Sequence, residues 1–99
     1  MKITINSVKF KTDKRLEDLI LDKVNKLSNH YNGVINSEVT LKLDNSEDHN
    51  NKVAEIKLFI PGSELFAKKQ CRTFEDSIDQ TVDALRTQLI KHKEKIKGI

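Results

Sequence analysis

The sequence has 99 residues, of which 33% are charged, and its formal net charge is +3 at pH 7. This length predicts one domain with a modest core, and the single cysteine excludes an intramolecular disulfide and indicates a reducing compartment. No segment approaches the ~20 apolar residues that cross a bilayer, and the first residues lack the apolar run of a signal peptide. We therefore expect a cytoplasmic protein with no membrane partner, whose mild basicity permits a polyanionic partner.

The first half of the chain predicts a strand, a helix and a second strand. Apolar and polar residues alternate across residues 2–7, as is typical of a half-buried strand. A helix is then predicted from an N-cap at Thr12 or Asp13 to about residue 29. Its apolar face comprises Leu16, Leu19, Ile20, Val24 and Leu27. Alternation returns over about residues 35–44, which predicts the second strand.

The central part of the chain predicts two more strands joined by a tight turn. Residues 52–60 alternate between an apolar and a mixed face, Pro61 and Gly62 turn the chain back, and a last strand runs over about residues 64–72. We interpret Cys71, in that strand, as a small buried hydrophobe. With a final helix the order is β-α-β-β-β-α, which predicts a two-layer α+β fold with two helices on one face of a four-stranded sheet.

The last quarter of the chain predicts one long amphipathic helix over residues 73–97. Thr73 followed by Asp76 resembles a capping box, which places the start of the helix. The apolar stripe comprises Phe74, Ile78, Val82, Leu85, Leu89 and Ile96. Acidic residues dominate the first half of the helix and basic residues the second. The bases are Arg86, Lys91, Lys93, Lys95 and Lys97.

Two explanations of this basic half remain open. Bases near a helix C-terminus complement the macrodipole, each contributing roughly 0.3–1 kcal/mol, but the effect fades within the last turn and these bases cover about three turns. The alternative is a binding surface. Lys23 and Lys26 lie on one edge of the first helix, where lysine stems can also simply cover apolar surface. If the helices pack side by side, we expect this edge to abut the flank with Lys91 and Lys95, giving one cationic field for a phosphate backbone.

Signatures of catalysis and metal binding are weak. The chain has three glycines and no glycine-rich phosphate-binding loop. Its single cysteine lacks a sequence signature of an activating base, and with His30, His49 and His92 it matches no metal-ligand spacing. Asp79 and Asp83 share a helix face, but carboxylates near a helix start are usually solvated partners of the dipole. We therefore expect a binding protein that is not an enzyme and uses no cofactor or metal.

A set of short motifs extends from the first helix to the last. They are Lys23-x-x-Lys26-Leu27, Leu41-Lys42, Ala54-Glu-Ile, Gly62-x-Glu-Leu-x-Ala67, Ser77-Ile-Asp79, Asp83-x-Leu85 and Gln88-Leu-x-Lys-His-Lys-x-Lys95. Together they resemble the ribosome hibernation promoting factor family, also called ribosomal subunit interface or stationary-phase translation inhibitor proteins. The resemblance covers nearly the whole chain, and its last motif is the most specific.

The resemblance implies the β-α-β-β-β-α fold, similar to a double-stranded-RNA-binding domain. It also implies a stationary-phase stress response in which the protein binds the small ribosomal subunit between head and body, across the messenger RNA channel and the tRNA sites. The mechanism would be steric occlusion without chemistry. The basic positions of the family fall on Lys23, Lys26, Arg86, Lys91, Lys93 and Lys95, which we expect to contact phosphates of ribosomal RNA.

Longer members of the family carry an additional C-terminal domain that pairs ribosomes, whereas this chain resembles a short form. We expect a single ribosome-binding domain over residues 1–99 without that dimerisation domain, monomeric when free, so that ribosome dimerisation would require a separate factor. The main alternative is a general double-stranded-RNA-binding module that is not specific to the ribosome. A third interpretation is a small interaction protein whose charged faces are merely solvated. With five aromatic residues, the chain is unlike proteins that stack single-stranded bases.

Overall fold

The computed structural model describes residues 2–29, 33–44 and 49–97, with side chains described as far as residue 94. In these ranges the chain forms four strands and two α-helices in the order β-α-β-β-β-α, as predicted. The elements are β1 (Lys2–Ser7), α1 (Lys14–Asn25), a 3₁₀ helix (Lys26–Asn29), β2 (Asn36–Leu43), β3 (Lys52–Ile60), β4 (Ser63–Cys71) and α2 (Phe74–Lys97).

The four strands form one sheet in the order β1-β2-β3-β4. β3 is antiparallel to both of its neighbours, with Ile56 opposite Val39 of β2 on one side and Ala67 of β4 on the other. β1 instead pairs in parallel with β2, and Ile5 lies opposite Val39. Parallel neighbours need a long crossover connection, and α1 supplies it. The register therefore lines up apolar residues from all four strands on one face of the sheet.

Both helices cover that face, and the core lies between the two layers. The alternating residues of the strands meet the apolar stripes of α1 and α2 there. The buried core comprises Ile20, Val24, Leu27, Val39, Leu41, Ala54, Ile56, Leu58, Ile60, Ala67, Ile78, Leu85 and Leu89. Phe74 and Val82 are partly buried against it, so the predicted stripe of the last helix is confirmed as far as Leu89. The side chain of Ile96 lies outside the described residues.

Two buried hydroxyl groups fix α2 on the sheet. Ser77 Oγ lies 2.5 Å from the carbonyl oxygen of Lys52, so it donates to the first residue of β3. Thr81 Oγ1 lies 2.6 Å from the carbonyl of Ser77 and 3.4 Å from that of Ala54. Because a buried polar group without a hydrogen bond costs free energy, these contacts favour one position of α2 along β3. The hydrophobic pattern did not predict them.

The predicted helix starts are confirmed by their caps. Asp13 Oδ1 accepts a hydrogen bond from the Leu16 amide at 2.8 Å, and Thr73 Oγ1 accepts one from the Asp76 amide at 3.1 Å. The predicted end of the first helix needs correction, because α1 ends at Asn25 and the last turn is 3₁₀. Such tightening is common at helix C-termini, where the last carbonyls lack partners in the α pattern.

Two further details differ from the sequence prediction. Cys71 is half-buried rather than fully buried, because it is the last residue of β4, an edge strand. The bounds of β2 and β4 shift by about one residue, which is the usual uncertainty at strand ends. None of the helices in the described ranges is both long enough and apolar enough to span a membrane.

The two helices start at the same end of the domain and lie side by side. The ring of Phe10, before α1, stacks on that of Phe74, the first residue of α2, with centroids 4.9 Å apart. Further along, Lys23 of α1 reaches Asp79 of α2. The C-terminal part of α1 therefore lies beside the second and third turns of α2, which creates the groove described below.

The packing predicts that Leu85→Ala strongly destabilises the domain. Leu85 is fully buried between the layers, so truncation leaves a cavity, and we expect a loss of about 2–5 kcal/mol in the free energy of unfolding. Leu21→Ala is the matched control, because Leu21 is 38% exposed on α1, and it should change stability by less than about 1 kcal/mol. Urea denaturation of both variants measures the difference. Equal losses would contradict the described core.

Candidate functional site

A groove of about 570 Å³ runs between the C-terminal part of α1 and the middle of α2. We call it the interhelical groove. Its lining residues are Lys23, Lys26, Leu27, Asn29, Asp79, Val82, Asp83 and Arg86. Three cations and two carboxylates thus line this space together with the apolar side chains of Leu27 and Val82. Of the six residues expected to bind RNA, the fold brings Lys23, Lys26 and Arg86 together here.

Helical spacing explains how these side chains reach one groove. On α2, Asp79, Asp83 and Arg86 recur at steps of four and three residues and so share one side of the helix. On the facing helix, Lys23 is followed by Lys26 one turn later, at the start of the 3₁₀ helix. The apolar stripe of α2 is buried on the sheet, so the polar residues on either side of it form two flanks. The flank that carries Asp79, Asp83 and Arg86 is the one beside α1.

Each cation in the interhelical groove is paired with a carboxylate. Lys23 Nζ lies 2.5 Å from Asp79 Oδ1, an ion pair that joins the two helices. Lys26 Nζ lies 3.3 Å from Asp22 Oδ2, four residues earlier in the chain. Arg86 is paired with Asp83, three residues earlier on α2. The groove is therefore a mixed-charge surface rather than a field of unpaired cations.

The interhelical ion pair also changes the proton affinity of Lys23. The hydrogen bond that Lys23 donates to Asp79 and the negative charge of that carboxylate raise the pKa of Lys23 above its ordinary value of 10.5. Partial burial acts in the opposite direction, and the charges of Asp22 and Asp83 add to the increase. Lys23 consequently stays a cation throughout the physiological range, held in a defined position by its partner.

The bases near the end of α2 are in a different environment. Lys91 and Lys93 are exposed, and neither makes an ion pair within the described part of the chain. We call them the terminal lysines. Lys93 follows Arg86 by seven residues, so it lies on the same side of α2 about 10 Å further along the axis. Lys95 belongs to the helix, but its side chain lies outside the described residues.

The expected alignment of the two helices is wrong in one respect. The edge with Lys23 and Lys26 faces the flank with Arg86, not the flank with Lys91 and Lys95. The amphipathic pattern shows which side of each helix is buried, but it does not show which flank meets the other helix. That choice depends on how α2 is rotated and positioned on the sheet.

Sequence reasoning also missed three members of the groove. Asp79 and Asp83 were expected to be solvated partners of the helix dipole, yet both line the groove and each holds a cation. Asn29, from the 3₁₀ helix, contributes an amide. The available signal was the position of both aspartates on the same helical side as Arg86.

Comparison with known proteins identifies the family. The model of the family described as sigma 54 modulation protein / S30EA ribosomal protein matches residues 3–97. The chain belongs to this family. A ribosome hibernation promoting factor from Pseudomonas putida is 30% identical over 95 residues, covering 96% of this chain and 89% of that protein. One from Acinetobacter guillouiae is 29% identical, covering 95% and 88%. The resemblance drawn from the sequence motifs is thereby confirmed.

Solved structures of the S30EA family show the same fold. The N-terminal domain of Thermus thermophilus Protein Y matches with a TM-score of 0.81 at 22% identity, covering 93% of this chain and 99% of that domain. A ribosomal subunit interface protein from Coxiella burnetii matches with a TM-score of 0.83 at 19% identity, covering 94% and 98%. At these identities the likeness concerns the fold, and it confirms the predicted α+β architecture.

The ion pair between the helices predicts a measurable pH dependence. Because the pKa of Lys23 is raised in the folded state, the stabilisation by Asp79 is complete below the ordinary value of 10.5 and is lost as the pH rises through the higher folded value. In a double-mutant cycle of Lys23→Gln and Asp79→Asn, we expect a coupling free energy of about 0.2–1 kcal/mol at neutral pH, because both groups are partly exposed.

Urea denaturation of the four proteins at about pH 8, and again above the raised pKa, measures this coupling. The cycle cancels the titration of other lysines, since they are present in all four proteins. A coupling free energy that persists unchanged at the alkaline pH would show that the two side chains interact by something other than charge.

Proposed function

We propose that this S30EA family member is a cytoplasmic, ribosome-associated hibernation factor that binds the small ribosomal subunit and occludes the messenger RNA channel and the tRNA sites. Membership of the family supports association with the ribosome. The observation that carries the RNA-binding part is the line of bases from Lys23, Lys26 and Arg86 in the interhelical groove to Lys93 on the same side of α2, with Lys91 exposed on the other flank. Inhibition then requires only the presence of the domain in the channel, without catalysis.

The chemistry of this surface suits the backbone of folded RNA. Lysine and arginine side chains bind phosphates and release condensed counterions, which gives affinity without sequence readout. Double-stranded RNA is recognised through its shape, its phosphates and its ribose hydroxyls, so a stacking platform is unnecessary. Among the residues that the structure describes, no aromatic side chain lines the interhelical groove, and Phe10 and Phe74 stack on each other at the opposite end of the helices.

Several finer features of the function stay predictions. We propose that the chain acts as a single ribosome-binding domain, is monomeric when free and leaves ribosome dimerisation to a separate factor. The competing proposal is a general double-stranded-RNA-binding module that uses the same basic surface. The two differ in whether binding to the ribosome depends on an empty decoding site.

Competition on the ribosome separates these proposals. We expect the protein to co-sediment saturably with small subunits, more weakly as salt increases, and to be displaced by initiator tRNA together with messenger RNA. The physical reason is that the ligands and the domain would occupy the same volume. Binding that is indifferent to both competitors, and comparable on isolated RNA duplexes, would favour the general RNA-binding module.

Removing the terminal lysines tests the electrostatic part of the proposal. Lys91→Gln with Lys93→Gln should weaken binding to small subunits and reduce the slope of log affinity against log salt by about two units, about one for each lost phosphate contact. The matched control is Lys11→Gln with Lys14→Gln, which removes the same charge from exposed positions at the other end of the helical layer. Equal effects of the two double variants would show that net charge alone drives binding.

A further inference from the structure

Phosphate binding alone does not account for the composition of the interhelical groove. Its cations are already paired with carboxylates, and two of those carboxylates, Asp79 and Asp83, themselves line the space. A carboxylate only accepts hydrogen bonds and repels a phosphate at close range. A ligand that fits this groove must therefore present anionic groups to the cations and hydrogen-bond donors to the aspartates.

The aspartates retain the capacity to bind such donors. An ionised carboxylate offers about four lone-pair positions, and the ion pairs with Lys23 and Arg86 occupy only part of them. The side chains of Asp79 and Asp83 are 49% and 66% exposed, so their remaining lone pairs are accessible to a ligand. Because Lys23 holds Asp79 across the groove, that carboxylate is also positioned before a ligand arrives.

The backbone of RNA has the required combination of groups. Its phosphates are anionic, and each ribose carries a 2′-hydroxyl that can donate a hydrogen bond. DNA presents the phosphates but lacks that donor. A peptide helix fits less well, because it docks through a row of apolar anchors. The apolar members of the groove among the described residues are Val82, which is partly buried, and Leu27, which is 1% exposed.

We propose that the interhelical groove is an RNA-backbone site in which Lys23, Lys26 and Arg86 bind phosphates while Asp79 and Asp83 accept hydrogen bonds from ribose 2′-hydroxyls. The inference rests on the proposed function and deepens it, since it assigns selectivity for RNA to two acidic residues. The terminal lysines attract any polyanion, and the aspartates of the interhelical groove distinguish ribose from deoxyribose.

Two duplexes of identical sequence test this site, one of ordinary RNA and one carrying 2′-fluoro sugars. The fluorine substituent removes the donor while the duplex keeps an A-form shape, so shape and phosphate charge are matched. At low salt we expect the protein to bind the hydroxyl duplex roughly tenfold more tightly, the equivalent of one or two hydrogen bonds to an ionised acceptor. Fluorescence anisotropy gives both dissociation constants, and their ratio is the readout.

Two double variants and one single variant separate the effect of hydrogen bonding to the aspartates from the effect of their charge. Asp79→Ala with Asp83→Ala should tighten binding to both duplexes, because two negative charges are removed, but bring the ratio close to one. Asp79→Asn with Asp83→Asn removes the same charges and keeps a carbonyl acceptor at each position, so it should retain most of the preference. Asp18→Ala, an exposed position of α1 that does not line the groove, should leave the ratio unchanged.

The outcomes are decisive in both directions. A ratio near one for the unaltered protein, no binding of either duplex at low salt, or equal ratios for the alanine and asparagine variants would each overturn the proposal. Circular dichroism of each variant confirms that the fold is intact. The preference for the hydroxyl duplex is measured on isolated duplexes, whereas displacement by tRNA and messenger RNA is measured on small subunits. Either result can be negative while the other is positive, so failure of this site and failure of the proposed function are distinguishable.

Discussion

The burial of one side of α2 on β3 and β4 is the constraint on which the rest of the structure depends. Ile78, Leu85 and Leu89 are fully buried there, and the hydroxyls of Ser77 and Thr81 bond to β3 or to the helix backbone. Once this stripe is fixed, the polar residues of α2 can occupy only its outer surface and its two flanks. One flank lies against α1 and becomes half of the groove. The positions of Arg86, Lys91 and Lys93 on α2 thus follow from core packing.

Local sequence patterns were sufficient to predict the elements and the general fold. Alternation located the strands, and Asp13 and Thr73 located the helix starts, because these signals act within a few residues of chain. The parallel pairing of β1 with β2 and the 3₁₀ end of α1 were not predicted. Both depend on long-range geometry: how the crossover helix returns to the sheet, and how Leu27 is drawn into the core.

The candidate site was predicted in part for the same reason. Charge and periodicity identified the basic residues, but they did not show that Arg86, rather than Lys91, faces Lys23. Charge and periodicity also placed Asp79 and Asp83 in the acidic first half of the last helix. There the helix dipole alone accounts for negatively charged residues. Only the packing of α1 against α2 brings Asp79 to Lys23 and places Asp83 in the same groove, and a rotation of α2 by a fraction of a turn would separate both carboxylates from α1.

The two groups of cations act over different distances. The terminal lysines have no carboxylate partner among the described residues, so their field extends into solvent until salt screens it within roughly 8–10 Å. The paired cations of the groove present a much weaker field at that range, because each charge is offset by a neighbour of opposite sign. At contact distance the paired cations of the groove have the advantage over the terminal lysines. Lys23 is already held in place, so it loses little further conformational entropy on binding, whereas an exposed lysine must be immobilised. Attraction and selection among ligands therefore belong to different parts of one helical surface.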